Sequence, residues 1–524
     1  MQVEKIDLRD TQSFSNFFLD YLDDKSVLKK FYGLRPKVEC FEEQISRKQF
    51  ADENRQVLCQ VLEEQYAKIS QSASVSSNLD SLKESKTYTI TTGHQLNIFT
   101  GPLYFIYKIA TVVNACKTLK EKYPAYNFVP VYWMASEDHD FDEISHFNLF
   151  GKKYQWQTEQ KGAVGRFKND GLKEVLESLP EKTELFEKAY LENDNLADAV
   201  RFYINELFAD EGVVVVDADH PKLKRLFAPV IKDELLRSRS NDLVEATNRE
   251  IEEAGYSPQI YSREINFFYL QEGSRERILK EDNAYQVNNT SLKFTEAEIL
   301  SELDNHPERF SPNVVMRPLY QELILPNLAY VGGPAEMIYW LQLPKVFEHY
   351  ETAFPILLPR NFALYINAAS IKKMEKFELS TTDIFRDVED LRAAYLAKHG
   401  ENEMNLNGEV DDLKEVYDML IAKAETVDAS LKGFIAAEHA KAAKGLDNIA
   451  KRLKKSEEQK HETALNQIGA LKEKLFPGGG LQERHDNVLN FYLNNPNFIK
   501  EILQSLDAFD LSMHVLKQQY KATR

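Results

Sequence analysis

The feature that most constrains the fold is a strand, loop, helix and second strand between residues 87 and 134. β-branched and aromatic residues fill positions 87–91, a glycine turn follows, and an amphipathic stretch then leads to the apolar run 128–134. Two buried strands joined through a helix form a βαβ unit, whose crossover is right-handed and whose strands are parallel. This segment therefore predicts the beginning of an α/β core.

Five further apolar runs are predicted strands, and helical stretches separate them. They are residues 213–216, 267–270, 314–316, 323–325 and 355–358. Alternation of strands and helices favours an α/β fold with a doubly wound, Rossmann-type core. The stretches 151–200 and 283–311 interrupt the alternation, so we expect them to be insertions into that core.

A change of amino-acid composition marks a separate region at residues 388–476, which is rich in Ala, Lys, Glu and Leu. Its apolar positions, among them Leu413, Val416 and Leu420, recur in steps of three and four, as in the seam of a coiled coil. We expect an α-helical antiparallel coiled-coil arm there. The other expected parts are a helical part of the core at 1–85, the catalytic core at 86–387, and a helical segment returning to it at 477–524.

Charge and composition limit the classes of partner. The formal net charge is −18, whereas proteins that bind nucleic acid generally carry a dense basic face, so we expect no nucleic-acid partner. The first residues lack the basic flank and apolar run of a secretory signal, and we find no apolar stretch that would span a bilayer. Three cysteines without a C-x-x-C spacing give no disulfide or zinc framework. We therefore expect a cytoplasmic protein without a membrane partner.

Polar residues cluster where the first two predicted strands end. Gly93-His94-Gln95 follows the first strand, and Glu137-Asp138-His139-Asp140 follows the second. Ligands of doubly wound sheets bind beyond the carboxyl ends of the strands, and crowded carboxylates have shifted pKa values suited to acid–base chemistry. The alternatives are that His94 and Gln95 satisfy loop backbone groups and that the acidic stretch is a solvated helix cap.

A third cluster lies further along the chain, at Asn313 and Arg317 and then at Tyr330, Gly332 and Gly333. Paired glycines permit close approach of backbone to a ligand, and an arginine can bind a carboxylate or phosphate bidentately. No P-loop motif is present, and no G-x-G-x-x-G motif follows a strand. We expect this cluster to form the other half of a small-molecule site.

The combined motifs resemble one family, the cysteine ligases assigned to bacillithiol biosynthesis, known as BshC. The matching segments cover almost the whole chain, and they are Thr92-Gly93-His94-Gln95, Phe99-Thr100-Gly101-Pro102-Leu103-Tyr104 with Lys108, Val129-Pro130-Val131-Tyr132-Trp133, residues 137–143, Ser311-Pro312-Asn313, Arg317-Pro318, residues 330–334 and Leu481-Gln482-Glu483-Arg484. The resemblance implies a Rossmann-type core with connecting insertions and a coiled coil that forms a homodimer.

The resemblance also implies a reaction, in which cysteine is joined to glucosaminyl malate through an amide bond. A carboxylate does not condense with an amine in water without activation, so we expect ATP with Mg²⁺ as the activating cofactor. Asp138, His139 or Asp140 would be catalytic, orienting the substrate ammonium and removing its proton. The expected binding residues are Gly93, His94, Gln95, Thr100, Gly101, Tyr104, Lys108, Trp133, Glu137, Asn313, Arg317, Tyr330, Gly332 and Gly333.

Within that set, His94 and Gln95 would stabilise phosphate charge, with His94 binding rather than transferring a proton. Arg317 and Asn313 would hold a malate carboxylate. We expect no protein-bound metal, although a metal-dependent hydrolase using His139, Asp142 and His146 is one alternative. A non-catalytic assembly factor that uses the arm is another.

Overall fold

The computed structural model describes residues 1–281, 284–400 and 406–519, and the chain divides into two compact units. The first unit comprises Met1–Tyr365 together with the described residues from Gly480 onward, and the second comprises Ile366–Gly479. The second unit therefore begins before residue 388, the expected start of the arm. It takes in a helix, Ala368–Lys376, that the sequence-based division assigned to the core.

The strands of the described residues fall almost entirely in the first unit. In chain order they are β1 Gln2–Ile6, β2 Thr87–His94, β3 Asn127–Met134, β4 His146–Leu149, β5 Lys152–Gln155, β6 Val214–Asp217, β7 Phe267–Gln271, β8 Ser274–Glu281, β9 Ala284–Val287, β10 Lys293–Thr295, β11 Phe310–Pro312, β12 Asn327–Gly332, β13 Ile356–Pro359, β14 Phe362–Ile366 and β15 Met513–Lys517.

The α-helices occur in both units. In chain order they are α1 Asn16–Leu22, α2 Cys40–Arg47, α3 Asp52–Tyr66, α4 Ala73–Ser81, α5 Tyr104–Lys122, α6 Phe141–Ile144, α7 Leu172–Glu177, α8 Glu184–Leu191, α9 Leu196–Leu207, α10 Pro221–Arg237, α11 Arg239–Glu253, α12 Glu296–Asn305, α13 Arg317–Ile324, α14 Pro334–Trp340, α15 Pro344–His349, α16 Ala368–Lys376, α17 Val388–His399, α18 Asn407–Glu425, α19 Leu431–Lys460, α20 Glu462–Leu475, α21 Gln482–His485, α22 Leu489–Tyr492 and α23 Phe498–Ser505.

A five-stranded sheet in the order β13-β12-β2-β3-β6 forms the centre of the first unit, and every neighbouring pair is parallel. Helix α5 connects β2 to β3, as the βαβ prediction required. Its buried side chains Ile106, Ile109 and Val113 pack in one large apolar cluster with Tyr132 of β3 and Val215 of β6. The predicted Rossmann-type α/β core is confirmed.

Three smaller sheets surround this core. Strands β10-β9-β8-β7-β11 form an antiparallel sheet, β4 pairs with β5, and β1-β15-β14 form a three-stranded sheet. Strand β1 pairs antiparallel with β15, so that Val3 lies opposite Leu516. Residues 1–85 and 477–524 were expected to be helical, and each also contains one of these two strands. The backbone of β1 is paired through a partner strand about 500 residues away in the sequence.

Two of the five further predicted strands are wrong. Residues 314–316 form a turn, in which the Asn313 side chain accepts hydrogen bonds from the backbone of Val315 and Met316. Residues 323–325 include the last turn of α13, and the strand of this region is β12. Short apolar runs do not distinguish a buried helix from a buried strand. The run 267–270 is a strand, but it lies in the antiparallel sheet rather than the parallel one.

The second unit is helical, apart from the last residue of β14, and α18 and α19 form its long antiparallel pair, in agreement with the predicted coiled-coil domain. A small core of Phe377, Leu391 and Ile468 joins the bases of α17 and α20. None of the residues of α18 is buried, and Val416, Met419 and Leu420 remain largely exposed. The arm therefore presents an apolar surface of its own.

Candidate active site

The parallel sheet has a switch point between β2 and β12. Strands β3 and β6 extend the sheet to one side of β2, while β12 and β13 extend it to the other. In open α/β sheets such a reversal opens a crevice at the carboxyl ends of the strands, where ligands bind. His94 ends β2, and Gly332 ends β12. The sequence clusters around these two residues therefore lie on either side of the same crevice.

An ion pair links helix α5 to the first turn of α14, where the Lys108 ammonium is buried and the Glu336 carboxylate is 25% exposed. Lys108 Nζ lies 2.6 Å from Glu336 Oε2 and donates a 2.8 Å hydrogen bond to the carbonyl of Gly93. Glu336 also accepts hydrogen bonds from the Tyr330 hydroxyl at 2.6 Å and the Gly333 backbone N–H at 2.8 Å. Burial raises the pKa of Glu336, but Lys108 and these donors outweigh burial and hold it below its ordinary value. Glu336 is thus an ionised group that binds three of the predicted residues directly, namely Lys108, Tyr330 and Gly333.

A small cavity of about 60 Å³ opens beside this ion pair, bordered by Tyr104, Lys108, Glu336, Arg360 and Arg484 among others. Arg360 is buried, donates to Asn361 O at 2.9 Å, and pairs through Nη2 with Glu483 Oε1 at 2.5 Å. Its Nε would lie 3.7 Å from a Cβ built on Gly333, and this nitrogen has no hydrogen-bond partner among the described residues.

Arg484 is exposed and forms no ion pair with any residue that the structure describes. Tyr104 lies beneath Arg360, with the guanidinium carbon 5.1 Å from the ring centroid. Burial, together with the charge of Glu336, raises the pKa of Tyr104 to about 12, so its hydroxyl stays protonated. The cavity is therefore lined by three cations and one ionised carboxylate, an arrangement suited to an anionic group.

His94 borders the same crevice as a neutral ring. Its imidazole stacks on Phe105 with a centroid separation of 4.6 Å and meets the edge of Tyr104 at 5.4 Å. Burial lowers the pKa of His94 well below its ordinary value, and the charges of Lys108 and Arg360 lower it further. The Nε2 atom is buried without a partner. A neutral ring of this kind suits hydrogen bonding to a ligand.

Arg317, at the start of α13, lies among aromatic rings. Its guanidinium carbon is 5.4 Å from the ring centroid of Tyr330, 5.9 Å from that of Trp133 and 6.0 Å from that of Trp340. A Cβ on Gly93 would lie 3.3 Å from the Tyr330 hydroxyl and 3.6 Å from Arg317 Nη1, so a larger residue there would crowd the guanidinium. Arg317 Nη2 is buried without a partner.

The other side of the crevice is acidic. Gln95 Nε2 donates a 2.5 Å hydrogen bond to Asp138 Oδ2, and Asp138 Oδ1 accepts one of 2.7 Å from the backbone of His139. Arg275, from strand β8, approaches the same group, with Nη1 3.6 Å from Asp138 Oδ1 and 2.9 Å from His139 Nδ1. The structure therefore brings Gln95, Asp138 and His139 together, as the sequence clusters predicted.

Contacts within the protein involve three of the expected site residues, Asp140, Asn313 and Gly101, whereas the hydroxyl of Thr100 is buried without a hydrogen-bond partner among the described residues. Asp140 caps α6 by accepting a hydrogen bond from Glu143 N, and Asn313 is engaged with the backbone of Val315 and Met316 and with Asn266. Thr100 is fully buried, and Gly101 adopts a positive φ of 60°. A Cβ on Gly101 would lie 2.5 Å from Asn97 Cβ, so only glycine fits this loop.

Glu137 forms a largely buried ion pair with Lys224 of α10. Lys224 also donates a 2.8 Å hydrogen bond to the carbonyl of Phe310. Burial raises the pKa of Glu137, and the Lys224 ammonium opposes that rise. Because its charge is compensated within the protein, Glu137 connects β3 to the antiparallel sheet.

Several of the buried polar atoms that have no hydrogen-bond partner lie at this edge of the sheet. Among the described residues they include His94 Nε2, Gln95 Oε1, Arg317 Nη2 and Arg360 Nε. Buried polar groups in native proteins are almost always hydrogen-bonded to protein, water or ligand. Around this crevice, two hydrogen-bond donors, one acceptor and one histidine ring nitrogen therefore have no hydrogen-bond partner among the described residues.

Several residues of the site could not be identified from the sequence. Arg275 lies in a strand of alternating charge, and Lys224 and Arg360 lie in segments without a motif. Only two local signals existed, namely Glu336 in the run after Gly332-Gly333 and Arg484 in Leu481-Gln482-Glu483-Arg484. The positions of Arg275, Lys224 and Arg360 are set by tertiary contacts that local spacing does not encode.

Within the described part of the chain, no helix is both long and apolar enough to cross a membrane. In the same residues, no three side chains of His, Cys, Asp or Glu converge in an arrangement that would hold a metal ion. His139 Nδ1 lies 2.9 Å from Arg275 Nη1.

Comparison with known proteins gives a consistent result over both units. Residues 1–361 match the N-terminal Rossmann-like domain of bacillithiol biosynthesis BshC, and residues 363–518 match its C-terminal coiled-coil domain. A Flavobacterium johnsoniae protein named "Putative cysteine ligase BshC" is 44% identical over 98% of this chain and 100% of its own length.

Proteins of the same name from Cytophaga hutchinsonii and Bacillus anthracis are 42% and 28% identical, over 98% and 95% of this chain and 98% and 97% of their own lengths. The chain therefore belongs to the BshC family of bacillithiol biosynthesis.

Proposed function

We propose that this protein is a cytoplasmic ligase that adds cysteine to glucosaminyl malate, forming the amide bond of bacillithiol. The observation that carries the proposal is the group of unpaired buried polar atoms at the switch point, which would be satisfied by a small, highly polar substrate. The names of the relatives support the same reaction.

The charge distribution of the crevice supports glucosaminyl malate as the substrate. Glucosaminyl malate carries an ammonium at one end and two carboxylates at the other, and the crevice is acidic on one side and cationic on the other. Asp138 and the unpaired Gln95 Oε1 would accept hydrogen bonds from the ammonium. Arg317, with Nη2 unpaired, would bind a malate carboxylate, and the aromatic rings around it strengthen this contact by excluding water.

The cationic cavity supports nucleotide-dependent activation. Lys108, Arg360 and Arg484 border it, and the Nε of Arg360 is unpaired there, so a phosphate group fits the charge of the lining. ATP with Mg²⁺ would supply an activated carboxyl group on cysteine. The residues named here would hold its phosphate charge, while His94 would donate or accept one further hydrogen bond through Nε2.

The proposal is tested by incubating purified protein with cysteine, glucosaminyl malate, ATP and Mg²⁺ and measuring bacillithiol by mass spectrometry. We expect product with the wild type. Arg484→Ala should raise KM for ATP about tenfold with little change for glucosaminyl malate, and Arg317→Ala should do the reverse, since a charge-assisted hydrogen bond contributes about 1.5–3 kcal/mol.

The matched control is Lys441→Ala, which removes an exposed cation from α19 and should leave both KM values unchanged. Equal effects of Arg484→Ala and Arg317→Ala on both substrates would contradict the separate assignment of the two anions. Absence of product with every nucleoside triphosphate would contradict the ligase proposal itself.

We further propose that the arm forms a homodimer with a second copy of this chain. Val416, Met419 and Leu420 of α18 and Phe434 of α19 are 44–64% exposed, and exposed apolar side chains at coiled-coil spacing favour burial against another helix pair. A symmetric interface needs only one self-complementary patch, and we assign the exposed apolar residues of the arm to that role.

Leu420→Glu combined with Phe434→Glu should convert the dimer to a monomer, because four buried carboxylates would face the apolar interface. Light scattering coupled to gel filtration measures the change, and Lys451→Glu, at an exposed position of α19, is the control for added charge. A wild-type protein that is monomeric at high micromolar concentration would contradict this proposal.

A further inference from the structure

Arg275 determines which nitrogen of His139 carries a proton. The contact joins Arg275 Nη1 and His139 Nδ1 at 2.9 Å. A guanidinium has five N–H donors, no acceptor and a permanent charge, so the ring nitrogen must be the acceptor. In a neutral imidazole with Nδ1 accepting, the hydrogen resides on Nε2. The free nitrogen of His139 is therefore an N–H donor.

Three further contacts fix the position of Arg275, which is buried to 8% side-chain exposure. Its Nε donates to Ser311 Oγ at 3.0 Å, and Nη2 donates to the carbonyl of Pro312 at 3.1 Å. The guanidinium carbon lies 4.0 Å from the ring centroid of Phe268. Strands β7 and β11 thus hold the guanidinium rigidly, and all of its nitrogens are engaged.

We propose that Arg275 is a positioning residue that keeps His139 in the Nε2–H tautomer, so that His139 acts as a hydrogen-bond donor and not as the base. This inference rests on the proposed amide-forming reaction and refines one of its roles. In that step the C–N bond forms, the C–O bond to the phosphate-containing leaving group breaks, and the amine proton passes to a carboxylate.

Asp138 is assigned as that carboxylate, because its Oδ1 lies 3.6 Å from His139 Nδ1 and its Oδ2 is held by Gln95. The Nε2–H of His139 would then donate to the carbonyl oxygen or to the leaving group, where negative charge develops.

The charges around His139 support a neutral ring. Arg275 faces it from β8, together with the carboxylates of Asp138, Asp140 and Glu276. Burial lowers the pKa of His139, Arg275 lowers it further, and the three carboxylates oppose both effects without reversing them. As pH falls through that lowered pKa, a proton would occupy Nδ1 and repel Arg275, so the contact persists at neutral pH.

The test that does not depend on activity is ¹⁵N NMR of ring-labelled histidine in the full chain, with His139→Gln used to assign the signal. We expect an unprotonated Nδ1 and a protonated Nε2 in the wild type. In Arg275→Met the tautomer preference should relax and the pKa of His139 should rise, while Arg275→Lys, which keeps a cation and a donor, should restore much of both. A wild-type spectrum with Nδ1–H would overturn the proposal, even if the ligase reaction is confirmed.

The activities of two His139 variants then distinguish a hydrogen-bond donor from a general base at this position. His139→Gln places an amide N–H near the position of Nε2 but cannot accept the amine proton, whereas His139→Ala has neither property. We expect His139→Gln to stay within about tenfold of the wild-type kcat, and His139→Ala to fall by about 10²–10³-fold, the range for loss of a charge-stabilising donor. Equal losses in the two variants, with unchanged thermal unfolding, would overturn the donor role.

Discussion

Replacement of Arg360 by methionine is expected to lower the free energy of unfolding by about 3–5 kcal/mol, the usual effect of removing one partner of a buried ion pair. Arg360 and Glu483 have side-chain exposures of 2% and 1%, so Glu483 would keep a buried charge with too few partners. Its second oxygen would retain only the hydrogen bond from Ala363 N. Denaturation in urea, followed by tryptophan fluorescence, measures the change.

Lys441→Met provides the control, because its pair with Glu438 is exposed to solvent and should contribute little to the free energy of unfolding. The double variant Arg360→Met, Glu483→Leu should recover much of the lost stability, since an apolar pair has no charge to desolvate. A loss in Arg360→Met no larger than in Lys441→Met would show that water reaches Glu483 readily and that the pair is not structural.

Glu336→Gln should lower both activity and stability, because Glu336 holds several groups at the crevice. The change leaves Lys108 with a side-chain exposure of 3% and no carboxylate, and it weakens the acceptor for Tyr330 and Gly333. We expect a loss of about 3 kcal/mol in the free energy of unfolding and a fall of about 10²-fold in kcat/KM.

The pH dependence of the stability difference between the wild type and Glu336→Gln tests the role of the carboxylate more specifically. The folded state holds the pKa of Glu336 below its unfolded value, so the ionised carboxylate contributes stability above the unfolded pKa. That contribution disappears as pH falls through the folded pKa. The stability difference between wild type and Glu336→Gln should therefore be largest near neutral pH and shrink in acid. Glu438→Gln, in an exposed pair, should show no comparable trend, and a constant difference down to low pH would contradict the mechanism.

The parts of the fold that the sequence predicts well are those specified by local pattern. The βαβ unit follows from β-branched residues at 87–91, an amphipathic stretch and a second apolar run, and its strand ends placed His94, Gln95 and Asp138 at the crevice. The seam of the arm is likewise a local repeat. Hydrophobic periodicity and the positions of the strand ends are therefore sufficient to predict these parts of the structure.

Other features depend on partners that are remote in the sequence. Strand β1 forms because its edge pairs with β15, and residues 314–316 form a turn because the Asn313 side chain satisfies their backbone. Arg275 and Arg360 gain their roles from contacts with His139 and Glu483, more than 100 residues away in each case. No local spacing carries that information, and the predicted roles of Asp140 and Asn313 rested on proximity in sequence and on the family resemblance.

The chain returns to the first unit after the arm, and this order has a consequence for folding during translation. Glu483, which anchors Arg360, and Arg484, which borders the cavity, are translated only after the whole of α18 and α19. Until then the buried guanidinium of Arg360 has no carboxylate to neutralise it, and β1 has no β15. A ribosome-bound nascent chain should therefore hold a sheet without a finished crevice. Ligand binding would begin only after the segment from Gly480 onward leaves the exit tunnel and docks, so premature termination anywhere in the arm would yield an inactive chain.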